Sequence, residues 1–187
     1  MGTARRTKWF AVAVAVTVLG AVGCGADEPG TGEAATSASP RPEGTGPLTK
    51  AVVRADLDDS AAGANVPADE EFARGHEDAR AGTPRSCSVA LKAWATDPGT
   101  DTDTATIDIA RYEAVVRELR ERAWRVQDRR VRKTPDGGTD YARMIFKQRG
   151  WTLFAEFMPL GENGVITLMA SEDACMKKVG ASVDQVA

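Results

Sequence analysis

Four segments in the second half of the chain alternate between apolar and polar residues, a pattern typical of β-strands. Strong turn sequences separate them, notably TPDGGT at 134–139 and the dipeptide Arg149-Gly150. In the third segment Trp151, Leu153, Ala155 and Phe157 fall on one side. We predict strands at 124–132, 141–148, 151–158 and 165–170.

The segments before and after these strands have apolar residues at helical spacing. Asp108 predicts the N-cap of a helix over 109–123, because a carboxylate there accepts a hydrogen bond from the first free amides. The apolar stripe of this helix comprises Ile109, Tyr112, Val116, Leu119 and Ala123. Ser171 predicts the cap of a last helix that ends before Gly180.

The segment before residue 108 carries weaker signals. Leu48, Val52 and Leu57 have helix-compatible spacing. Ser86 predicts the cap of a helix whose apolar face comprises Cys87, Ala90, Leu91 and Trp94. Residues 67–81 are polar and predict a loop or short helix, and 96–106 predict a surface loop. The order of helix, four-strand meander and helix predicts one α+β domain over 48–187, with a four-stranded antiparallel sheet and helices on one face.

The N-terminus has the composition of an export signal. Arg5, Arg6 and Lys8 precede about 14 nearly unbroken apolar residues at 9–22, whereas a spanning helix needs roughly 20. Length, flanking charge and position predict a secretion signal over 1–23. Residues 25–47 contain no apolar side chain larger than alanine, and 24–47 therefore predict a flexible tether.

The signal closes on Ala21-Val22-Gly23-Cys24, which resembles the lipobox of bacterial lipoproteins. The resemblance implies that Cys24 receives a diacylglyceryl group, with fatty acids such as palmitate, before cleavage in front of it. The mature protein would then be anchored to the cell membrane on its extracytoplasmic face. Two acyl chains make such attachment durable. The alternative is an ordinary secretory signal that is cut nearby, with Cys24 incidental.

Two short motifs extend the resemblance into the domain. Gly-Trp-Thr-Leu at 150–153 and Ala-Ser-Glu-Asp-Ala-Cys at 170–175 are similar to segments of uncharacterised secreted lipoproteins of actinobacterial type. This resemblance implies no activity.

Cys87 and Cys175 remain once Cys24 is lipidated. Two thiols in an oxidising compartment most simply form a disulfide with each other. Two buried free thiols and a redox pair are the alternatives, although the chain has no Cys-x-x-Cys motif.

Charge is unevenly distributed along the chain. Residues 111–149 contain 12 basic and 6 acidic residues, whereas the whole chain has a net charge of -3. If the strands at 124–132 and 141–148 pair, one sheet face presents up to five cations. These are Arg125, Arg129, Arg143, Lys147 and Arg149. A solvated charged face is one interpretation, and contact with anionic headgroups, an acidic wall polymer or an acidic protein is the other.

The residue pattern predicts neither a catalytic nor a metal site. His76 is the only histidine and is expected to be a solvated surface residue, so no zinc ligand set or Ser-His-Asp arrangement is available. Asp101 and Asp103 lack the further ligands and the glycine of an EF-hand loop. No phosphate-binding or dinucleotide fingerprint is present, so no cofactor is predicted.

The leading functional hypothesis is therefore a non-enzymatic, membrane-anchored binding or sensing module. Nucleic acid is disfavoured as a partner because little of it occurs outside the cytoplasm. The alternatives are a carrier with an apolar cavity of several hundred Å³ for an amphiphile, and an enzyme that uses a pair of carboxylates.

Overall fold

The computed structural model describes residues 46–94, 106–161 and 163–182. The predictions for 1–45 and for the loop at 96–105 lie outside these residues. Among the described helices, none has both the length and the apolar character needed to cross a bilayer. The helices are α1 (Lys50–Gly63), α2 (Glu70–Glu77), α3 (Ile109–Glu121) and α4 (Asp173–Lys178), and the strands are β1 (Ser88–Trp94), β2 (Arg125–Lys133), β3 (Thr139–Gln148), β4 (Trp151–Leu160) and β5 (Asn163–Glu172).

The fold is α+β with an antiparallel sheet, as predicted, but this sheet has five strands instead of four. The strand order is β1-β5-β4-β3-β2. Strands β2 to β5 form the predicted meander, because each turn between them is short enough to join neighbouring antiparallel strands. The fifth strand, β1, pairs with β5 at the edge.

The segment that becomes β1 was predicted to be a helix, and that prediction was wrong. Val89, Leu91 and Ala93 alternate onto the core side, but Ala90 on the other side is also fully buried. A short run that is apolar on both faces has no clean period of two, so periodicity alone does not separate it from a helix. Pairing of Val89 through Trp94 with β5 selects the extended form.

The helix starts follow from local hydrogen bonds. The Asp108 carboxylate accepts from the Arg111 amide at 2.9 Å, which confirms the predicted cap of α3. Asp69 caps α2 in the same way, accepting from the amides of Glu71 and Phe72 at 3.0 Å. The predicted cap of α4 was wrong: Ser171 lies in β5, and Glu172 occupies the N-cap position.

The core lies between α1, α3 and one face of the sheet. Each element contributes fully buried side chains, here Leu57 from α1, Leu119 from α3 and Leu153 from β4. Gly164 in β5 permits the tightest approach, because a Cβ there would lie 2.3 Å from the Phe157 ring. The prediction of helices on one face holds for α1 and α3, whereas α2 contacts β1, and α4 contacts β5 and the turn at Pro84–Cys87.

The outer edge of β1 is covered. The Asp69 amide donates to the Lys92 carbonyl at 2.7 Å, and the Arg54 guanidinium donates to the Ala90 carbonyl at 3.4 Å. These bonds satisfy strand carbonyls that would otherwise be open to another chain.

The predicted disulfide is present. Cys87 ends the one-turn 3₁₀ helix Pro84–Cys87, Cys175 lies in α4, and their Cα atoms are 5.5 Å apart. The bond joins segments 88 residues apart. It therefore fastens the start of β1 to the short helix that follows β5.

Candidate functional site

A β-bulge in β2 separates two of the cations that the sequence placed on one face. Val126 pairs with Phe146 and Asp128 pairs with Ile145, so Gln127 is an extra residue in β2. One inserted residue reverses which face the following side chains occupy. Arg125 pairs with Lys147, whereas Arg129 pairs with the core residue Met144. The prediction that Arg125 and Arg129 share a face was therefore wrong.

Arg129 lies on the α3 side of the sheet. It lines a small cleft with Ile109, Tyr112 and Met144, and the volume of this cleft is about 60 Å³. The Tyr112 hydroxyl donates to the Ala155 carbonyl at 3.0 Å, and burial raises the pKa of Tyr112. The cleft is too small for an acyl chain, so it does not supply the cavity that an amphiphile carrier needs.

Three of the predicted cations converge on a different surface. Arg125, Lys147 and Arg149 line an open pocket of about 410 Å³, together with Ala123, Gln148 and Gly150. We call this feature the basic pocket. It lies where α3 turns into β2 and where β3 turns into β4.

Two tight turns form the basic pocket. Ala123 has a φ of 64° and Arg149 has a φ of 39°, both in the left-handed region that non-glycine residues rarely adopt. Gly150 follows with a φ of 82°, which glycine adopts without strain. Arg149 therefore lies in the β3–β4 turn, and the prediction that it shares a strand face with Arg143 and Lys147 was wrong.

The three cations differ in how far they are already neutralised. The Lys147 ammonium lies 2.9 Å from the Asp173 carboxylate and also donates to the Thr152 hydroxyl. The Arg149 Nε donates to the Gly46 carbonyl at 2.6 Å. Within the part of the chain that the structure describes, no hydrogen bond or ion pair engages the exposed Arg125 guanidinium. Arg125 is thus the cation that is available to an anion.

Arg143 is separate from the basic pocket. It lies on the outer face of the sheet, the face opposite α1 and α3, 3.9 Å from Glu156 and over the Phe154 ring. The Tyr141 hydroxyl donates to the same Glu156 carboxylate at 2.8 Å. Burial, together with this hydrogen bond to Glu156, raises the pKa of Tyr141. Arg143 thus belongs to a partly buried polar network of the sheet.

Two further cations of β2 have acidic neighbours. Arg130 pairs with Asp128 at 3.1 Å, and Arg132 pairs with Asp140 at 2.5 Å. Such exposed pairs contribute little to stability. They do, however, reduce the net positive charge along β2, so the positive charge is more localised than the five-cation face that the sequence predicted.

His76 was predicted to be a solvated surface residue, and it is instead only 6% exposed. Its Nδ1 lies 3.3 Å from the Phe72 carbonyl oxygen. Burial lowers the pKa of His76 below 6.5, the Phe72 hydrogen bond opposes this, and the positive charges of Arg85, Lys50 and Arg54 lower it further. An amphipathic α2 packed against β1 explains the burial, because His76 falls on the same side as the buried Ala73.

We expect His76 to make the fold less stable in mild acid. The unfolded state binds the proton at its ordinary pKa of 6.5, above the folded-state pKa. The contribution of His76 is therefore present above pH 6.5 and is lost as pH falls through the lowered folded-state pKa. Urea unfolding between about pH 5 and 7.5 should show a weaker pH dependence in His76→Gln than in the natural chain. Equal slopes would contradict this assignment.

No group of three histidine, cysteine or carboxylate side chains suited to a metal occurs among residues 46–94, 106–161 and 163–182. Asp97, Asp101 and Asp103 lie outside those ranges, and Asp108 is the cap of α3.

Comparisons of the chain with protein-family models, with curated proteins and with solved structures find no match. Two sequence predictions bear on the basic pocket: the turn at Arg149-Gly150 and a helix that ends at about residue 123. No residue signal predicted the left-handed φ of Ala123.

Proposed function

We propose that this chain is a membrane-anchored extracytoplasmic lipoprotein whose domain is a non-enzymatic binding module for an anionic group. The export signal and the lipobox resemblance at Cys24 support the location. The observation that supports the binding is the convergence of Arg125, Lys147 and Arg149 on the basic pocket.

Phosphate and carboxylate groups suit this pocket. An arginine guanidinium presents a planar set of donors that matches two oxygens of one anion, and lysine adds a compact positive charge. Arg125 is exposed, and Lys147 keeps 45% of its side chain exposed despite its bond to Asp173. An anion in the pocket would therefore accept hydrogen bonds from Arg125. It would also interact with Lys147, whose ammonium remains paired with Asp173.

Inorganic polyphosphate is a suitable probe of this activity. We expect residues 24–187 carrying Cys24→Ser to bind it at low ionic strength, and Arg125→Glu to weaken binding about 10- to 30-fold, since each charge near an anionic surface contributes about 1 kcal/mol. Added salt should weaken binding in the natural chain, because exposed charges are screened. Titration calorimetry measures both effects.

Arg130→Glu is the matched control. It makes the same change of charge on the same strand, outside the basic pocket, at a residue already paired with Asp128. Its effect should be several-fold smaller than that of Arg125→Glu. Equal loss in both variants would mean that only net charge matters, and it would contradict a site at the pocket.

A further inference from the structure

The chain enters the domain at the rim of the basic pocket. The Leu48 amide donates to the Arg149 carbonyl at 3.2 Å, and the Trp151 indole donates to the Leu48 carbonyl at 2.8 Å. The Arg149 side chain in turn donates to the Gly46 carbonyl. Three hydrogen bonds thus hold residues 46–48 against the β3–β4 turn that forms one wall of the pocket.

Because residues 46–48 lie beside the basic pocket, the length of the segment between Cys24 and Gly46 limits the distance between the pocket and the proposed anchor. Twenty-one residues separate Cys24 from Gly46. Fully extended, they span about 70–75 Å, and as the coil that their composition predicts they span roughly 25–30 Å. The opposite end of β2, at Lys133, is about 26 Å farther along the sheet than Arg125. The chain therefore enters the domain at the end that carries the basic pocket, about 26 Å from the end of β2 that carries Lys133.

We propose that the basic pocket rests on anionic phospholipid headgroups of the same membrane that holds the Cys24 anchor. This inference rests on the proposed function, both for the anchor and for the affinity of the pocket for anions. A headgroup phosphate accepts hydrogen bonds from the Arg125 guanidinium and lies near the Lys147 ammonium. The domain is thereby oriented with residues 46–48 and the β3–β4 turn toward the bilayer.

The tether makes the membrane a better partner than a soluble polymer or protein. Arg125 alone is unpaired in the described part of the pocket, and Asp173 reduces the charge of Lys147, so the intrinsic affinity for one phosphate is low. The flexible tether that the composition of 24–47 predicts would make the contact an intramolecular one, at an effective concentration on the order of millimolar. At this effective concentration, headgroups can occupy the basic pocket even though its affinity for one phosphate is low.

Lysine acetylation of the native lipidated protein in vesicles tests this orientation. We expect Lys147 to be acetylated about threefold or more slowly in vesicles of phosphatidylglycerol and phosphatidylcholine in roughly equal parts than in phosphatidylcholine alone. Lys133, exposed at the far end of β2, is the internal control and should react equally in both. Mass spectrometry of the digested protein gives both rates.

Charge-reversal variants and added salt test whether the protection of Lys147 depends on Arg125. Arg125→Glu should remove the protection of Lys147, Arg130→Glu should retain it, and raised ionic strength should abolish it in the natural chain. Equal reactivity of Lys147 in both vesicle types, or equal protection of Lys133, would overturn the inference.

Two further measurements distinguish a failure of this inference from a failure of the proposed function. Intact mass of the membrane-extracted protein shows whether the mature chain begins at a diacylated Cys24, and polyphosphate titration shows whether Arg125 binds anions. If both hold while Lys147 is unprotected, the orientation alone is wrong. If Cys24 carries no lipid, or Arg125 does not contribute to polyphosphate binding, the proposed function fails and the orientation fails with it.

Discussion

Replacing Cys87 and Cys175 together by alanine is expected to lower the free energy of unfolding by about 2–5 kcal/mol. The bond closes a loop of 88 residues, so its absence returns much conformational freedom to the unfolded chain. It also releases α4 from the turn that precedes β1. Because the disulfide joins these two segments directly, we expect α4 and the start of β1 to loosen first.

Urea unfolding of the double variant and of the natural chain measures this loss. Reduced natural protein is the control, since it keeps both side chains but lacks the bond and should resemble the double variant. Hydrogen exchange should show faster opening in β1 and α4 than in β3 and β4. Unchanged unfolding in both the variant and the reduced protein would contradict a stabilising role for the disulfide.

Replacing Trp124 by phenylalanine is expected to cost about 2–4 kcal/mol of unfolding free energy. The buried Trp124 indole donates to the Asp56 carboxylate at 2.9 Å, joining α1 to the segment between α3 and β2. Asp56 is only 7% exposed. The phenylalanine variant leaves that carboxylate without one of its donors and leaves unfilled space beside it.

Two variants at position 56 separate the hydrogen bond from the packing. Asp56→Asn keeps an acceptor oxygen and should cost less than Asp56→Ala, which leaves the indole N–H unsatisfied. A double-mutant cycle of Asp56→Ala with Trp124→Phe should give a coupling energy of about 1 kcal/mol or more. Additive losses would show that the two side chains stabilise the fold independently.

The same segment connects stability to the proposed site. Trp124 lies between Ala123, which lines the basic pocket, and Arg125, its unpaired cation. The Trp124 amide also donates to the Leu119 carbonyl at 3.1 Å, closing the end of α3. The buried indole thereby holds the turn that presents Arg125, so a variant that loosens Trp124 should also weaken polyphosphate binding.

Elements with strong local signals were predicted correctly. The strands β2 to β5 follow from alternation bounded by glycine-containing turns, and the Asp108 cap of α3 follows from a side chain that bonds its own neighbouring amides. These signals act within a few residues. Sequence order alone is therefore enough to reveal them.

Features that depend on distant contacts were predicted wrongly. β1 is extended because its buried residues pair with β5, about 75 positions away. His76 is buried because α2 packs against β1. Arg129 turns to the α3 side because Gln127 bulges out of the register with β3. In each case a contact with another element decided the outcome.

The amino-acid sequence by itself determined the α+β class, most of the meander and the cap of α3, since these depend on local hydrogen bonding and on period. It also predicted the disulfide between Cys87 and Cys175, the two cysteines within 48–187. Tertiary structure alone decided which cations meet. A single bulge and two left-handed turns moved Arg129 and Arg149 off the predicted face and assembled the basic pocket beside residues 46–48. A shift of one residue in strand register moves each following side chain to the other face of the sheet. The positions of these cations therefore depend on how the strands pair.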